Sequence, residues 1–428
     1  MLFKDITILD EDLNIRTNMY VGVRGDKIAY IGDKEPEEDY GAVYSGYRRL
    51  LMSAFYNGHA HTPMVLLRGY GENMTLQNWL NKLVFPFEDK LTNDAVYWGT
   101  TLGLAESLRF GVVSQNDMYF FCEDMARAVL ECGIKSNISR SVVCFTDDDL
   151  WDMPSYKEAK SFFENFHGAG AGRLAVDMSL HAEYTSTPKV ARQLAEYTRS
   201  IGARMHAHVA ETKLETEECR QRHGKSPVRY LNDLGLFDSP TVAAHCVWLD
   251  EGDYEILAEK GVTVATCPVS NLKLASGLCN QPRLVEHGIN LAIGTDGVAS
   301  NNSINFLEDM KFFAVVYKGA YSDPTVITPR EVLYAATRGG ALSQGRDDCG
   351  KLAVGYKADL IVLDIGKPNM QPEYDLINNI VYSACGGDVV QTMVDGKVLY
   401  RNGEFLTIDI ERVTNEVQRS VKGILAQL

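Results

Sequence analysis

No apolar run in the 428 residues approaches the length of a membrane-spanning helix, which needs roughly 20. Positive charge is scarce relative to negative: 42 Lys and Arg stand against 57 Asp and Glu, a net charge of −15. Phosphate backbones and anionic lipid surfaces are bound through a cationic footprint. Neither nucleic acid nor a membrane is therefore expected as a partner. The nine cysteines, at 122, 132, 144, 219, 246, 267, 279, 349 and 385, are odd in number, widely spaced and form no C-x-x-C. That excludes a zinc site of the C-x-x-C kind and fits reduced thiols. The opening MLFKDITILDED turns acidic at once and has no secretory apolar stretch, so the expected location is cytoplasmic. With 45% apolar and 23% charged residues, the composition is that of a globular chain, not a disordered one.

What is present is a regular alternation. Residues 1–50 read as short strands, with MYVGVRGDKIAYIG forming a hairpin about a Gly-Asp turn. Eight apolar runs then recur: LLMSAFYNG, GVVSQNDMY, IKSNIS continuing into SVVCF, LAVDMSL, GARMHAHV, TVAAHC, GVTVATC and INLAIGT. Stretches with helical spacing, such as PKVARQLAEYTRSIG and DYEILAEKG, separate them. Alternating strands and helices imply parallel strands with helical crossovers. Eight such repeats imply a closed (β/α)8, TIM-like barrel over 51–342. Strands return in KADLIVLDI and VVQTMVDGKVLY. From Asp409 the apolar residues Ile410, Val413, Val417, Val421 and Ile424 mark an amphipathic helix. The expectation is an α/β fold in which 1–50 and 343–428 together build a small composite β-sandwich with a C-terminal helix.

Active sites of such barrels lie at the C-terminal ends of the strands. Strand one ends in Asn57-Gly58-His59-Ala60-His61, and positions i and i+2 of a strand point to one side. The bland reading of H-x-H is a pair of buried histidines bonded to backbone. Four further strand ends carry polar residues of the same kind: His181-Ala182-Glu183, His206-Ala207-His208 with Glu211, His245-Cys246, and Thr295-Asp296-Gly297. Such groups are uncommon inside a barrel unless paired or ligating. Neutral imidazoles with one carboxylate suit zinc, with iron(II) the other candidate. His59, His61, His208 and Asp296 would be the ligands of one divalent metal. Strand four offers His181 where a second metal would need a bridging carboxylated lysine. Glu211 and His245 face the same mouth as general acid/base candidates. His206 sits one pleat deeper and reads as a buried structural histidine. His167, His223 and His287 read as solvated or capping, and Met64, Leu66 and Leu67 as core.

The motifs NGHAHTPM, GVVSQNDMY, HAHVAET, AHCVWLD, CPVSNLKLASG, GTDGVASNN and GKLAVGYKADLIVLD together resemble the amidohydrolase superfamily. Within it they are similar to the branch of adenosine-type deaminases that also holds triazine and guanine hydrolases. The resemblance covers essentially the whole chain. It implies metal-dependent hydrolytic deamination of an adenine nucleoside to an inosine-type product and ammonia. The alternative it leaves open is an aminohydrolase of a free heterocycle. It implies that Glu211 contacts the ring nitrogen and that His245 lies beside the activated water. Asp296 or His245 would accept the water's proton. It further implies that Glu88, in VFPFEDK, binds ribose hydroxyls, and that Arg140, in NISRSVV, and His181 contact substrate. Trp79, in LQNWL, would lie over the substrate. On their own, Glu88 would be a surface carboxylate, Arg140 an ion-pair partner and Trp79 core. A homo-oligomer is common in the family and is expected. Ser53-Ala54 replaces the usual Pro-Gly, and Arg338-Gly339 stands where Asn-Gly is common; neither change falls among the ligands.

Overall fold

The protein is described by a computed structural model covering residues 1–71, 73–74 and 76–428. The eight barrel strands are Phe55–His61, Val112–Tyr119, Lys135–Val142, Leu174–Leu180, Met205–Val209, Thr241–His245, Thr263–Thr266 and a broken eighth strand. All neighbours pair in parallel. The eighth strand runs as Leu291–Ile293 against strand seven. After Gly294 and Thr295 it resumes as Asp296–Gly297 against strand one, with Asp296 opposite Ala60 and Gly297 opposite His61. The ring closes through that break. Asn57 brackets it: its Nδ2 donates to Thr295 Oγ1 at 2.7 Å and its Oδ1 accepts from Thr295 N at 3.1 Å. Small side chains, Ala265 and Ala292 beside Val242, fill the narrow interior. A Cβ on Gly58 would come within 2.7 Å of Ala292 Cβ.

The helices start where their sequences say they should. Thr92, Thr187, Ser226 and Thr328 cap helices that begin at the next residue, three of them with Pro at that first position. Thr212 and Glu215 form a reciprocal capping box directly after strand five. The helices bury their apolar faces against the outside of the barrel in one continuous core.

The second sheet joins the chain ends. Leu2–Leu9, Ile15–Arg24, Lys27–Gly32, Val43–Ser45 and Arg49–Ser53 come from the front, and Leu360–Asp364, Val389–Val394, Lys397–Arg401 and Glu404–Phe405 from the back. The hairpin about Gly25-Asp26 forms as expected, with Arg24 opposite Lys27. The hydrogen bonding runs through all of these strands as one continuous sheet. Its two halves meet where Arg49–Ser53 runs antiparallel to Leu360–Asp364, reinforced by an Arg49–Asp364 ion pair at 2.7 Å. The run LLMSAFYNG, read as one barrel strand, is therefore two: its first residues belong to the terminal sheet and only Phe55 onward to the barrel. Both environments bury apolar side chains on both faces, so the run carries no mark of the switch. The C-terminal helix spans Ile410–Leu425, buries Val413, Val417 and Ile424, and lies against the barrel helix Asn93–Arg109. Among the described residues no helix is long and apolar enough to cross a membrane. All nine cysteines are free thiols, eight buried and Cys385 exposed.

Candidate active site

The C-terminal ends of strands one, four, five, six and eight converge on one buried point. Nitrogen atoms of His59, His61 and His208 lie within 4.8 Å of one another. Asp296 Oδ1 stands 3.6 Å from His59 Nε2 and 3.3 Å from His61 Nε2. The other ring nitrogens are occupied. His61 Nδ1 lies 2.5 Å from the Met118 carbonyl and His208 Nδ1 lies 2.6 Å from the His181 carbonyl. A carbonyl can only accept, so each Nδ1 carries a hydrogen, and the neutral tautomer this selects has its lone pair on Nε2. His59 Nδ1 lies 2.9 Å from His206 Nε2. That gives the deeper histidine, read as merely structural, a definite task in orienting His59. His59 Nε2 itself is buried without any hydrogen-bond partner. An orphaned imidazole nitrogen costs free energy when buried. It fits a site whose remaining partner is a cation. Burial, and then the neighbouring histidines, holds His59 and His208 well below the ordinary histidine range, so both are neutral as ligands must be.

The backbone is bent to produce this convergence. Ala210, His245, Cys246 and Asp296 all have positive φ, at 50°, 70°, 47° and 61°. Non-glycine residues pay about 1–3 kcal/mol each for such conformations, which cluster at functional sites. Asp296 Oδ2 accepts from Ser270 Oγ at 2.5 Å and Ser300 Oγ at 2.9 Å, and its Oδ1 accepts from Gly297 N at 2.7 Å. Burial opposes its ionisation, but His61, His245 and these donors hold it below the usual carboxylate range.

Glu211 Oε2 faces His245 Nε2 at 3.9 Å. Burial pushes the Glu211 carboxyl up. His245 would be lowered by burial, yet the Glu211 and Asp296 carboxylates raise it. Behind Glu211, the Glu215 carboxylate accepts from the backbone N–H groups of Ala210 at 3.0 Å, Glu211 at 2.7 Å and Thr212 at 3.4 Å, pinning the turn that carries Glu211.

A cavity opens over this cluster. Its wall includes Trp79, Glu88 and His181 together with His61, His208, Glu211, His245 and Asp296. Tyr119 OH donates to Glu88 Oε1 at 2.7 Å. Burial lifts Glu88 to about 7 and His181 falls to about 4 for the same reason. Arg140 is not brought to this cavity. It lies in an adjoining chamber that shares Phe85, Glu88 and Phe120 with the first. There its Nε donates to Glu158 at 2.7 Å and its Nη1 to the Ser141 carbonyl at 2.8 Å. His167 and His287 bond to backbone, whereas His223 pairs with buried Glu183 at 3.1 Å instead of facing solvent. Met64 lines the cavity as well as the core.

Sequence reasoning missed Tyr119, Glu215, Ser300 and the roles of Ser270, Asn271 and Ser276. The last three lie inside CPVSNLKLASG, a motif whose members had no assigned partner. Arg338 bonds to the carbonyls of Asp347 and Cys349, away from the site.

Known proteins share both the sequence and this architecture. The model of the Amidohydrolase family matches residues 50–399. A 5-methylthioadenosine/S-adenosylhomocysteine deaminase of Dictyoglomus thermophilum is 37% identical over 419 residues, covering 98% of this chain and 97% of that protein. A 5′-deoxyadenosine deaminase of Methanosarcina mazei is 36% identical over 427 residues, covering 99% and 97%. The crystal structure of an adenosine deaminase from Xanthomonas campestris, solved with bound zinc, superposes with a TM-score of 0.92 at 28% identity, covering 99% of this chain and 98% of that one. With the family model spanning most of the chain and relatives of this similarity along its whole length, the protein belongs to the amidohydrolase family.

Proposed function

We propose that the protein hydrolytically deaminates an adenine nucleoside, releasing ammonia and an inosine-type product. The observation that carries this reading is the convergence of three imidazoles and Asp296 beneath an acid/base pair, Glu211 and His245, in a cavity whose wall presents Glu88. The names of the 37% and 36% identical relatives support the same substrate class. His59, His61, His208 and Asp296 would hold one divalent metal, zinc first and iron(II) second. Such an ion lowers the pKa of water to about 7 and so supplies a nucleophile at neutral pH. Glu211, whose carboxyl is pushed up by burial, delivers a proton to the ring nitrogen beside the attacked carbon. His245 presents Nε2 to take the proton of the attacking water, sharing that task with the Asp296 carboxylate. Glu88 accepts hydrogen bonds from ribose hydroxyls, and Trp79 and His181 confine the base. Arg140, engaged with Glu158, reaches substrate only if a 5′ substituent extends into the outer chamber.

The test is ammonia release from metal-loaded protein with S-adenosylhomocysteine, 5′-methylthioadenosine, 5′-deoxyadenosine, adenosine, adenine, guanine and a triazine. Release from nucleosides is expected. Release from a free base alone would move the protein to the heterocycle aminohydrolases and remove the role of Glu88. Replacing Glu211 by Gln is expected to lower turnover at least about 100-fold with metal retained. Elemental analysis decides between zinc and iron, and light scattering tests the homo-oligomer expected of the family. A cytoplasmic location is supported by the free buried thiols.

A further inference from the structure

The segment CPVSNLKLASG, residues 267–277, leaves strand seven. It adds only Leu274 to the cavity wall. Yet its short helix Pro268–Lys273 and the turn after it reach three functional side chains on three other strands. Ser270 Oγ donates to Asp296 Oδ2 at 2.5 Å. Asn271 Oδ1 lies 2.8 Å from His245 Nδ1. Ser276 Oγ donates to Glu211 Oε1 at 3.4 Å. All three donors and acceptors on the segment belong to buried side chains. The segment is itself tied down. Ser276 N bonds to the Asn271 carbonyl at 2.9 Å, and the Ser276 carbonyl accepts from Trp248 Nε1 at 2.6 Å. Gly277, at φ 128°, lies so close to Val247 that a Cβ would come within 2.8 Å of it.

We infer that this segment is one positioning frame for the whole acid–base trio. Asn271 Oδ1 can only accept, so the His245 ring carries a hydrogen on Nδ1, and the neutral tautomer this selects has its Nε2 lone pair on the Glu211 side. Ser270 occupies the Asp296 oxygen turned away from His61. Ser276 steadies one oxygen of Glu211 and leaves the other facing His245. A single rigid element therefore fixes three orientations that strands five, six and eight present separately. Asn271, Ser270 and Ser276 are positioning residues: none acts on substrate except through the group it holds. The inference rests on the proposed roles of Glu211, His245 and Asp296.

The experiment compares wild type with Asn271→Leu, Asn271→Asp, Ser276→Ala and the double variant Asn271→Leu/Ser276→Ala, using 5′-methylthioadenosine and measuring metal content alongside. Asn271→Leu is expected to lower kcat about 100-fold, the lower end of what an acid–base group contributes. KM should stay within about threefold, because the loss is of transition-state stabilisation alone. Metal content should be unchanged. Asn271→Asp restores an acceptor oxygen at the same place and is expected to recover about tenfold of the loss. The double variant should lose less than the product of the two single losses, since both residues act through one frame. Full turnover in Asn271→Leu, a loss that Asn271→Asp does not relieve, or strictly multiplicative losses would each overturn the inference. If Asn271→Leu does not fold, the smaller Asn271→Ala carries the same expectations. A metal-loaded wild type that deaminates no nucleoside overturns the functional reading and this inference together. An active wild type with an unaffected Asn271→Leu overturns this inference alone.

Discussion

The binding role proposed for Glu88 would couple substrate binding to pH through a single carboxyl. Burial lifts it to about 7 against the pull of the Tyr119 hydroxyl. Above that value it is a carboxylate able to accept from two vicinal hydroxyls; below it, one oxygen carries a proton and accepts poorly. KM for a neutral nucleoside is therefore expected to rise about tenfold as pH falls from about 8 to 6, with kcat governed by other groups. Glu88→Gln should show a raised KM that no longer follows pH, and steady-state kinetics across that range check it. A KM in wild type that ignores pH would remove Glu88 from the binding role. Arg140 poses the complementary question. Its guanidinium is engaged by the largely exposed Glu158, an ion pair worth little in stability. Glu158→Gln frees Arg140, and kcat/KM for S-adenosylhomocysteine relative to 5′-methylthioadenosine should rise about three- to tenfold. An unchanged ratio would mean that the tail carboxylate never meets Arg140.

Among the elements, strand eight is constrained on both sides. Its break at Gly294 and Thr295 lets one half close on strand seven and the other on strand one. Gly294 is needed for space: a Cβ would lie 2.8 Å from Cys267 Sγ and 2.9 Å from His59 Cβ. Gly294→Ala must push the His59 side chain off its position. Metal affinity is expected to fall about 10–100-fold, the usual cost of disturbing the support of a ligand. Titration with a competing chelator measures it; unchanged affinity would show that the neighbours relax freely. Strand five ends in a comparable device. The Glu215 carboxylate, lifted to about 8 by burial and by Glu211, satisfies three backbone N–H groups at the turn into the next helix. The capping box Thr212-x-x-Glu215 is readable in the sequence, but its second use, holding the turn that carries Glu211, depends on the burial of Glu215.

At the scale of the whole molecule, a buried ionic junction links barrel and terminal sheet. Lys135, at the start of strand three, pairs with Asp359 and with Asp395 at 2.8 Å, while Tyr56 OH donates to Asp359 at 2.6 Å. Burial alone would lower Lys135, but Asp359, Cys349 and Asp395 raise it, so the ammonium persists. Lys135→Met leaves two carboxylates uncompensated and is expected to cost about 3–5 kcal/mol, visible as a large loss in the urea midpoint. Replacing Lys135 together with both aspartates by apolar residues should recover much of it, because a buried ion pair by itself contributes little net stability. A single variant as stable as wild type would show that water reaches the junction.

The eight repeats, the hairpin about Gly25-Asp26, the caps at Thr92, Thr187, Thr212 and Thr328 and the terminal amphipathic helix were all determined locally. Each is written in a period or a pair of residues within one turn. The i, i+2 spacing of His59 and His61, and polar residues at the other strand ends, likewise determined that a cluster would form. Only the tertiary structure decided that Leu50–Gly58 serves two sheets, that Arg140 faces an outer chamber, and which groups orient the cluster. His206 against His59, Asn271 against His245 and Asn57 against Thr295 are hydrogen bonds between residues 147, 26 and 238 positions apart. Such pairs follow no period along the chain. They exist because barrel closure brings strand ends together and because a buried polar atom must find a partner among whatever it meets there.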